Sequence, residues 1–146
     1  IMLLGDICPT DITASLFKNE NTTQLFGDTL SIFKDKDFIF ANLECALTNS
    51  DKPIKKFGPA LKAPAATAKV LKSVGIDCVG LSNNHTFDFG IQGIKDTITH
   101  LDNADIDFTG FGENYNDSRK NYIIRKILFY KSFAKFLAFC KVIVIW

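Results

Sequence analysis

At 146 residues the chain has the length of one domain, enough to bury a core without disulfides or a structural metal. Its 47% hydrophobic and 23% charged residues exclude a disordered, collagenous or coiled-coil protein. The net charge of +1 argues against a nucleic-acid binder. No uncharged apolar run reaches the roughly 18 residues of a plain membrane-spanning helix.

The charge is unevenly spread. Residues 1–118 hold all 16 acidic residues and 10 of the 17 basic ones, a net −6, while residues 119–146 hold 7 basic residues and no acid. The start, Ile1-Met2-Leu3-Leu4-Gly5-Asp6, reads as a buried strand entering a loop, with no signal-peptide pattern. A domain rarely opens on a core strand, so a preceding segment is expected. Cys8, Cys45, Cys78 and Cys140 are scattered without a C-x-x-C pair and read as free thiols.

In chain order, Met2–Leu4 predicts a first strand, and Leu25, Phe26, Leu30, Ile32 and Phe33 follow at roughly helical spacing. Phe38–Leu43 predicts a second strand, then a lysine-rich, proline-marked loop runs to about Pro64. Ala66, Val70, Leu71 and Val74 share a helix face that Gly75 ends. Ile76–Leu81 predicts a third strand. Ile91, Ile94, Ile98 and Leu101 form the buried stripe of a second long helix, and Ile106–Phe108 predicts a fourth strand. Strands that read as buried and non-alternating, separated by helices, predict an α/β fold with a largely parallel sheet. The loops after such strands open on one edge, where ligands bind.

That edge receives Gly5-Asp6 after the first strand, Asn42-Leu43-Glu44 after the second, and Ser82-Asn83-Asn84-His85-Thr86-Phe87-Asp88-Phe89-Gly90 after the third. Gly110-Phe111-Gly112-Glu113-Asn114 follows the fourth. Carboxylate, amide and imidazole donors converging from three loops suit Mn, Fe, Zn or Mg and suit copper(I) poorly. The Asn84-His85 pair also reads as a tight hydrogen-bonded turn closed by Gly90. Asp88 reads as a helix cap or as a brace for His85. Cys8 and Cys45 lie near the carboxylates and read as zinc thiolates or, more commonly, as small buried fillers. His100 reads as a surface residue, Lys62 as a loop lysine or a contact for an anion, and the Gly110-Phe111-Gly112 turn as backbone N–H groups facing an anion.

Gly5-Asp6-Ile7, Ala41-Asn42-Leu43-Glu44 with Leu47-Thr48, the stretch Leu81–Gly90, and Gly110–Asn114 together resemble the CapA family of bacterial capsule and poly-γ-glutamate synthesis proteins, relatives of calcineurin-like metallophosphatases. The resemblance is carried mainly by Asn83-Asn84-His85-Thr86-Phe87-Asp88-Phe89-Gly90 and runs from about Met2 to Ile124. It implies the N-terminal half of a four-layer α/β/β/α sandwich, as a partial domain over residues 1–124 followed by an atypical tail over 125–146. It implies a divalent metal held by Asp6, Glu44 and Asn84, with His85 as the catalytic partner and Asp88 beside it. It assigns Asn42, Lys62 and Asn83 to substrate. The metal would make hydroxide from bound water, and His85 would stabilise or protonate the leaving oxygen. The implied substrate is a phosphoester or an anionic, amide-linked polymer, the implied partners are membrane-bound capsule synthase subunits, and the implied location is the cell envelope.

A two-metal site needs more histidine than His85 and His100. After Ile124 the chain is basic or apolar and rich in phenylalanine, with no family feature. Three readings stand there: an out-of-frame or prematurely ended product, which would be inactive; a basic amphipathic helix on an anionic membrane; or strands or a helix completing a shortened core. The functional expectation is a metal-dependent hydrolase, with a non-catalytic subunit that binds polymer or synthase as the alternative.

Overall fold

The computed structural model describes residues 1–127 and 139–143. Four strands make one parallel sheet: β1 (Met2–Ile7), β2 (Ile39–Leu43), β5 (Cys78–Gly80) and β6 (Asp107–Thr109), paired in that order. Between β2 and β5, the short strands β3 (Ala46–Leu47) and β4 (Lys62–Ala63) pair in parallel as a separate two-stranded piece. The backbone of β7 (Ile123–Ile127) pairs antiparallel with β8 (Phe139–Ile143). Those tail segments are therefore strand. The membrane-helix reading of the residues between them lies outside the described residues. Among the described residues no helix is long and apolar enough to cross a membrane.

The connections are helical. α1 (Asp11–Lys18), α2 (Thr22–Phe26) and α3 (Leu30–Phe33) join β1 to β2, α4 (Ala66–Ser73) precedes β5, and α5 (Gly90–Asn103) joins β5 to β6. A final turn, α6 (Tyr115–Ser118), follows β6. α1 lies where the sequence reading placed no element. The single helix expected around Leu25–Phe33 is instead α2, a 3₁₀ turn at Gly27–Thr29, and α3, because Gly27 takes φ +48° and breaks the run. Phe17, Phe26 and Phe33 still gather, ring edge to ring face, with centroids 6.3 and 5.7 Å apart. Gly75, at φ +93°, ends the α4 segment as expected.

The sheet is covered by helices on one face. Ile39, Ala41 and Leu43 of β2 are buried with Val70, Leu71, Val79, Leu81, Ile94 and Leu101, while Phe40 and Asn42 between them are only half-buried. This period-two pattern belongs to β2, whereas Cys78, Val79 and Gly80 of β5 are all buried, as the non-alternating reading expects. The second face floors a groove of about 700 Å³ that includes Leu3, Phe40, Gly80 and Thr109, with Tyr122 and Ile124 at its wall. Each fully buried leucine or isoleucine of the helix-covered face contributes about 1.5–3 kcal/mol by leaving water.

Of the expected α5 stripe, Ile94 and Leu101 are buried and Ile98 packs against the core, while Ile91 is 67% exposed and Gly93 and Thr97 are buried in addition. A Cβ at Gly93 would fall 2.6 Å from the Phe89 Cβ, so the position needs a glycine, while the Ala46 Cβ of β3 lies 3.5 Å away at ordinary contact distance. Thr97 completes that contact, accepting the Leu47 N–H at 2.9 Å and donating to the Gly93 carbonyl at 2.7 Å.

Candidate functional site

All four main-sheet strands run the same way, so Ile7, Leu43, Gly80 and Thr109 end on one edge. β1 and β2 slip register between Leu3 and Asp6, and pairing resumes with Asp6 opposite Asn42 and Ile7 opposite Leu43. The Asn42 amide then donates to the Asp6 carboxylate at 2.7 Å.

Asn83 ties the third strand's loop to the second. Its NH₂ donates to the Asn42 side-chain oxygen at 3.1 Å and to the Leu43 carbonyl at 3.0 Å, and its oxygen accepts the His85 N–H at 3.0 Å. Both N–H groups and the oxygen of Asn83 are thus engaged inside the chain, and the residue braces the loops. Asn84, next to it, is exposed, and its carbonyl accepts from Lys56 at 3.2 Å.

Glu44 continues β2 to the edge, its N–H held by the Ile7 carbonyl at 3.0 Å. Its carboxyl hydrogen-bonds the Asp6 carboxylate. That bond, then desolvation, then the Asp6 charge push Glu44 above the ordinary carboxylate range, and His85 partly offsets them.

His85 is braced from behind. Its Nδ1 lies 2.6 Å from an Asp88 oxygen, which sets Nδ1–H as the donor and leaves Nε2 as the nitrogen available for proton exchange. Asp88 is wholly buried and also accepts Lys56 Nζ at 2.5 Å and the Leu61 N–H at 2.7 Å. Burial alone would raise its carboxyl; the bonds from Lys56, His85 and Leu61 outweigh burial and hold it below the ordinary range. Of its two sequence readings, the structure makes Asp88 the brace of His85. The Phe89 position at the start of α5 carries no side-chain cap.

Lys56 is the functional residue that sequence reasoning missed. It sits in the β3–β4 connection, and its ammonium reaches Asp88, the Asn84 carbonyl and a point 3.4 Å from His85 Nδ1. Lys62 lies in the same region but is turned onto its own loop. It donates to the Asp51 carboxylate at 2.6 Å and to the Ser50 carbonyl at 2.8 Å, and its ammonium sits 5.3 Å above the Phe89 ring.

The fourth loop closes the edge by close approach. Gly110 has φ +84°, and a Cβ there would fall 2.7 Å from the Ser82 Cβ and 2.9 Å from the Ser82 nitrogen. The result is a cleft of about 470 Å³ beside Asn83 and Asn84, with Phe87 and Phe111 packed at 5.8 Å on its rim. Among the described residues no group of three or more His, Cys, Asp and Glu side chains is arranged to hold a metal. Asp6 and Glu44 are a pair of carboxyl groups on this edge, and Asn84 is an exposed amide of the third loop.

Comparison with known proteins matches residues 1–142 to the family described as "Bacterial capsule synthesis protein PGA_cap", past the Ile124 limit of the resemblance read from motifs. A Bacillus anthracis protein named "Capsule biosynthesis protein CapA" is 31% identical over 130 residues, covering 86% of this chain and 31% of that protein. The Bacillus subtilis (strain 168) "PGA biosynthesis protein CapA" is 26% identical over 130 residues, covering 85% of this chain and 33% of that protein. An uncharacterised Sinorhizobium fredii protein is 27% identical over 94 residues, covering 61% of this chain and 20% of that protein. The chain thus spans about a third of the length of the two capsule relatives it matches.

Proposed function

Because the chain belongs to the bacterial capsule synthesis protein family, we propose that its strand edge is one side of a metal-dependent hydrolase site acting on a phosphoester or an anionic, amide-linked capsule polymer. The observation that carries this reading is the juxtaposition, on one sheet edge, of the neighbouring Asp6 and Glu44 carboxyl groups and the Asp88-braced His85.

Asp6 and Glu44, with Asn84, would hold a divalent ion (Mn, Fe, Zn or Mg), which supplies a bound water acidic enough to ionise near neutral pH. Asn42 holds the Asp6 carboxylate toward that position, and Asn83 fixes Asn42 and the His85 backbone. His85 Nε2 would give its proton to the leaving oxygen or nitrogen. Asp88 keeps the ring oriented, and Lys56 balances the Asp88 charge so that the brace remains ionised. Lys62 and the Gly110–Gly112 turn are the remaining candidates for an anionic substrate. The rest of the metal shell would come from water or from regions that the longer relatives carry. The setting is the cell envelope, alongside membrane-bound capsule synthase subunits.

A second reading rests on the short donor set. It makes the chain a non-catalytic subunit that binds the anionic polymer or the synthase. Calorimetric titration with Mn²⁺ and Zn²⁺, paired with hydrolysis assays on p-nitrophenyl phosphate and poly-γ-glutamate, separates the two. The hydrolase reading expects stoichiometric metal lost in Asp6→Asn and Glu44→Gln, and turnover reduced at least ~100-fold in His85→Ala with metal retained. Polymer capture without metal-dependent turnover would establish the subunit reading instead.

A further inference from the structure

The cleft between the third and fourth loops differs in chemistry from the carboxylate edge. Among the described residues no ionisable side chain lines its volume of about 470 Å³. Phe87, 45% exposed, and Phe111 meet on its rim, with ring centroids 5.8 Å apart and planes tilted by 51°. The polar side chains of the lining are amides and hydroxyls. Asn83 is spent on Asn42, the Leu43 carbonyl and the His85 N–H, and the Thr86 hydroxyl donates to the Leu81 carbonyl. The Ser82 hydroxyl is exposed and, among the described residues, has no hydrogen-bond partner. These internal bonds, with the close approach of Gly110 to Ser82, set the shape of the cleft before any ligand arrives.

We infer that this cleft is a subsite for an uncharged sugar ring. The face of an aromatic ring carries negative charge density, and the C–H bonds of a pyranose present a weakly positive, apolar surface that packs on it. Rings tilted by 51° cannot both lie flat against one planar base, whereas a puckered ring with C–H bonds on several sides meets both. The Ser82 hydroxyl offers a donor and an acceptor to a sugar hydroxyl. An anion finds no cationic side chain there. Lys56 is held by Asp88 and Lys62 by Asp51, and neither lines the cleft. The lining includes Asn84, the residue before His85, so the sugar sits beside the proposed proton donor. On the hydrolase reading, on which this clause alone rests, the sugar is the alcohol part of a phosphoester rather than a charged unit of an amide-linked polymer.

The test titrates the isotope-labelled full chain with methyl β-D-glucopyranoside and follows the backbone amides by NMR. The expected result is a saturable shift centred on Ser82, Phe87, Gly110 and Phe111, with free glutamate at the same concentration leaving those amides in place. Phe87→Leu keeps the apolar bulk and loses the ring, and should weaken binding about 3–10-fold; Phe87→Tyr should bind as the native chain does. Phe87 is exposed, and the amide spectrum of each variant shows whether it is folded. No saturable shift at those amides, an equal response to glutamate, tighter binding of thymidine than of the glycoside, or native affinity in folded Phe87→Leu would overturn the inference. The hydrolase reading is scored separately, with a glucose phosphate monoester and Mn²⁺. A chain that binds the glycoside yet releases no phosphate supports the sugar cleft and counts against the hydrolase.

Discussion

Replacing Asp88 with asparagine keeps its shape and removes its charge. The native carboxylate is wholly buried and accepts three hydrogen bonds, from Lys56 at 2.5 Å, His85 at 2.6 Å and the Leu61 N–H at 2.7 Å. An amide offers one oxygen and two N–H donors, so either Lys56 or the His85 Nδ1–H must face a donor. Hydrogen bonds to a charged group are worth about 1.5–3 kcal/mol each, and breaking a buried ion pair costs about 3–5 kcal/mol. The Lys56 side chain is 19% exposed and can turn to water, which puts the expected loss near the lower bound, about 3 kcal/mol. Urea unfolding of native chain and variant at pH 7 measures it, as a fall in midpoint with an unchanged slope. The effect should fade in acid. The folded carboxyl sits below the ordinary value of 3.8, so its contribution is complete above that value and is lost as pH falls through the lower folded value. A loss under about 1 kcal/mol at pH 7, or one that does not shrink in acid, refutes the three-bond account.

Two further predictions concern the same edge. Gly110→Ala places a methyl 2.7 Å from the Ser82 Cβ in a φ +84° conformation; a thermal melt should show a loss of about 2 kcal/mol or more, and an unchanged melt would mean the fourth loop does not depend on that approach. Asp6→Asn removes the main cause of the raised Glu44 carboxyl. A raised carboxyl favours folding below its unfolded value and loses that advantage as pH rises through the folded one. The metal-free variant should therefore melt no lower than the native chain at pH 7, and NMR titration should show Glu44 moving down. An unmoved Glu44 titration would dissolve the proposed carboxyl pair.

The convergence of loops on one edge was legible because parallel strands leave little choice: once four strands alternate with helices, their carboxyl ends share a side. Asp6, Glu44, Asn84 and His85 follow from that geometry together with the Asn-His motif. Lys56 did not. Lys52, Lys55 and Lys56 all read as solvated residues of one polar loop, and what selects Lys56 is a buried carboxylate 32 residues later in the chain. The α5 stripe was legible in Ile94, Ile98 and Leu101 and missed at Ile91, Gly93 and Thr97 for a different reason. Hydropathy ranks Ile91 as core and Gly93 and Thr97 as neutral, yet the helix needs a missing side chain beside the Phe89 Cβ and a hydroxyl for the Leu47 N–H. The second sheet face misled in the same way: Phe38-Ile39-Phe40 is uniformly apolar, so composition could not reveal that only alternate residues lie under helices.

Each strand of the main sheet lies beside the one that precedes it in that sheet along the chain: β1, β2, β5, β6. No strand has to be wedged between two that are already joined. As the polypeptide emerges from its N-terminus, every new strand meets an exposed edge laid down just before it, and the intervening helix docks behind. The newest edge is the one left open at each stage, for only as long as the next crossover takes to be made. The order along the chain and the order across the sheet coincide, so each loop of the carboxyl-end cleft lies beside the loop of the strand before it, from Asp6 at one side to Gly110 against Ser82 at the other.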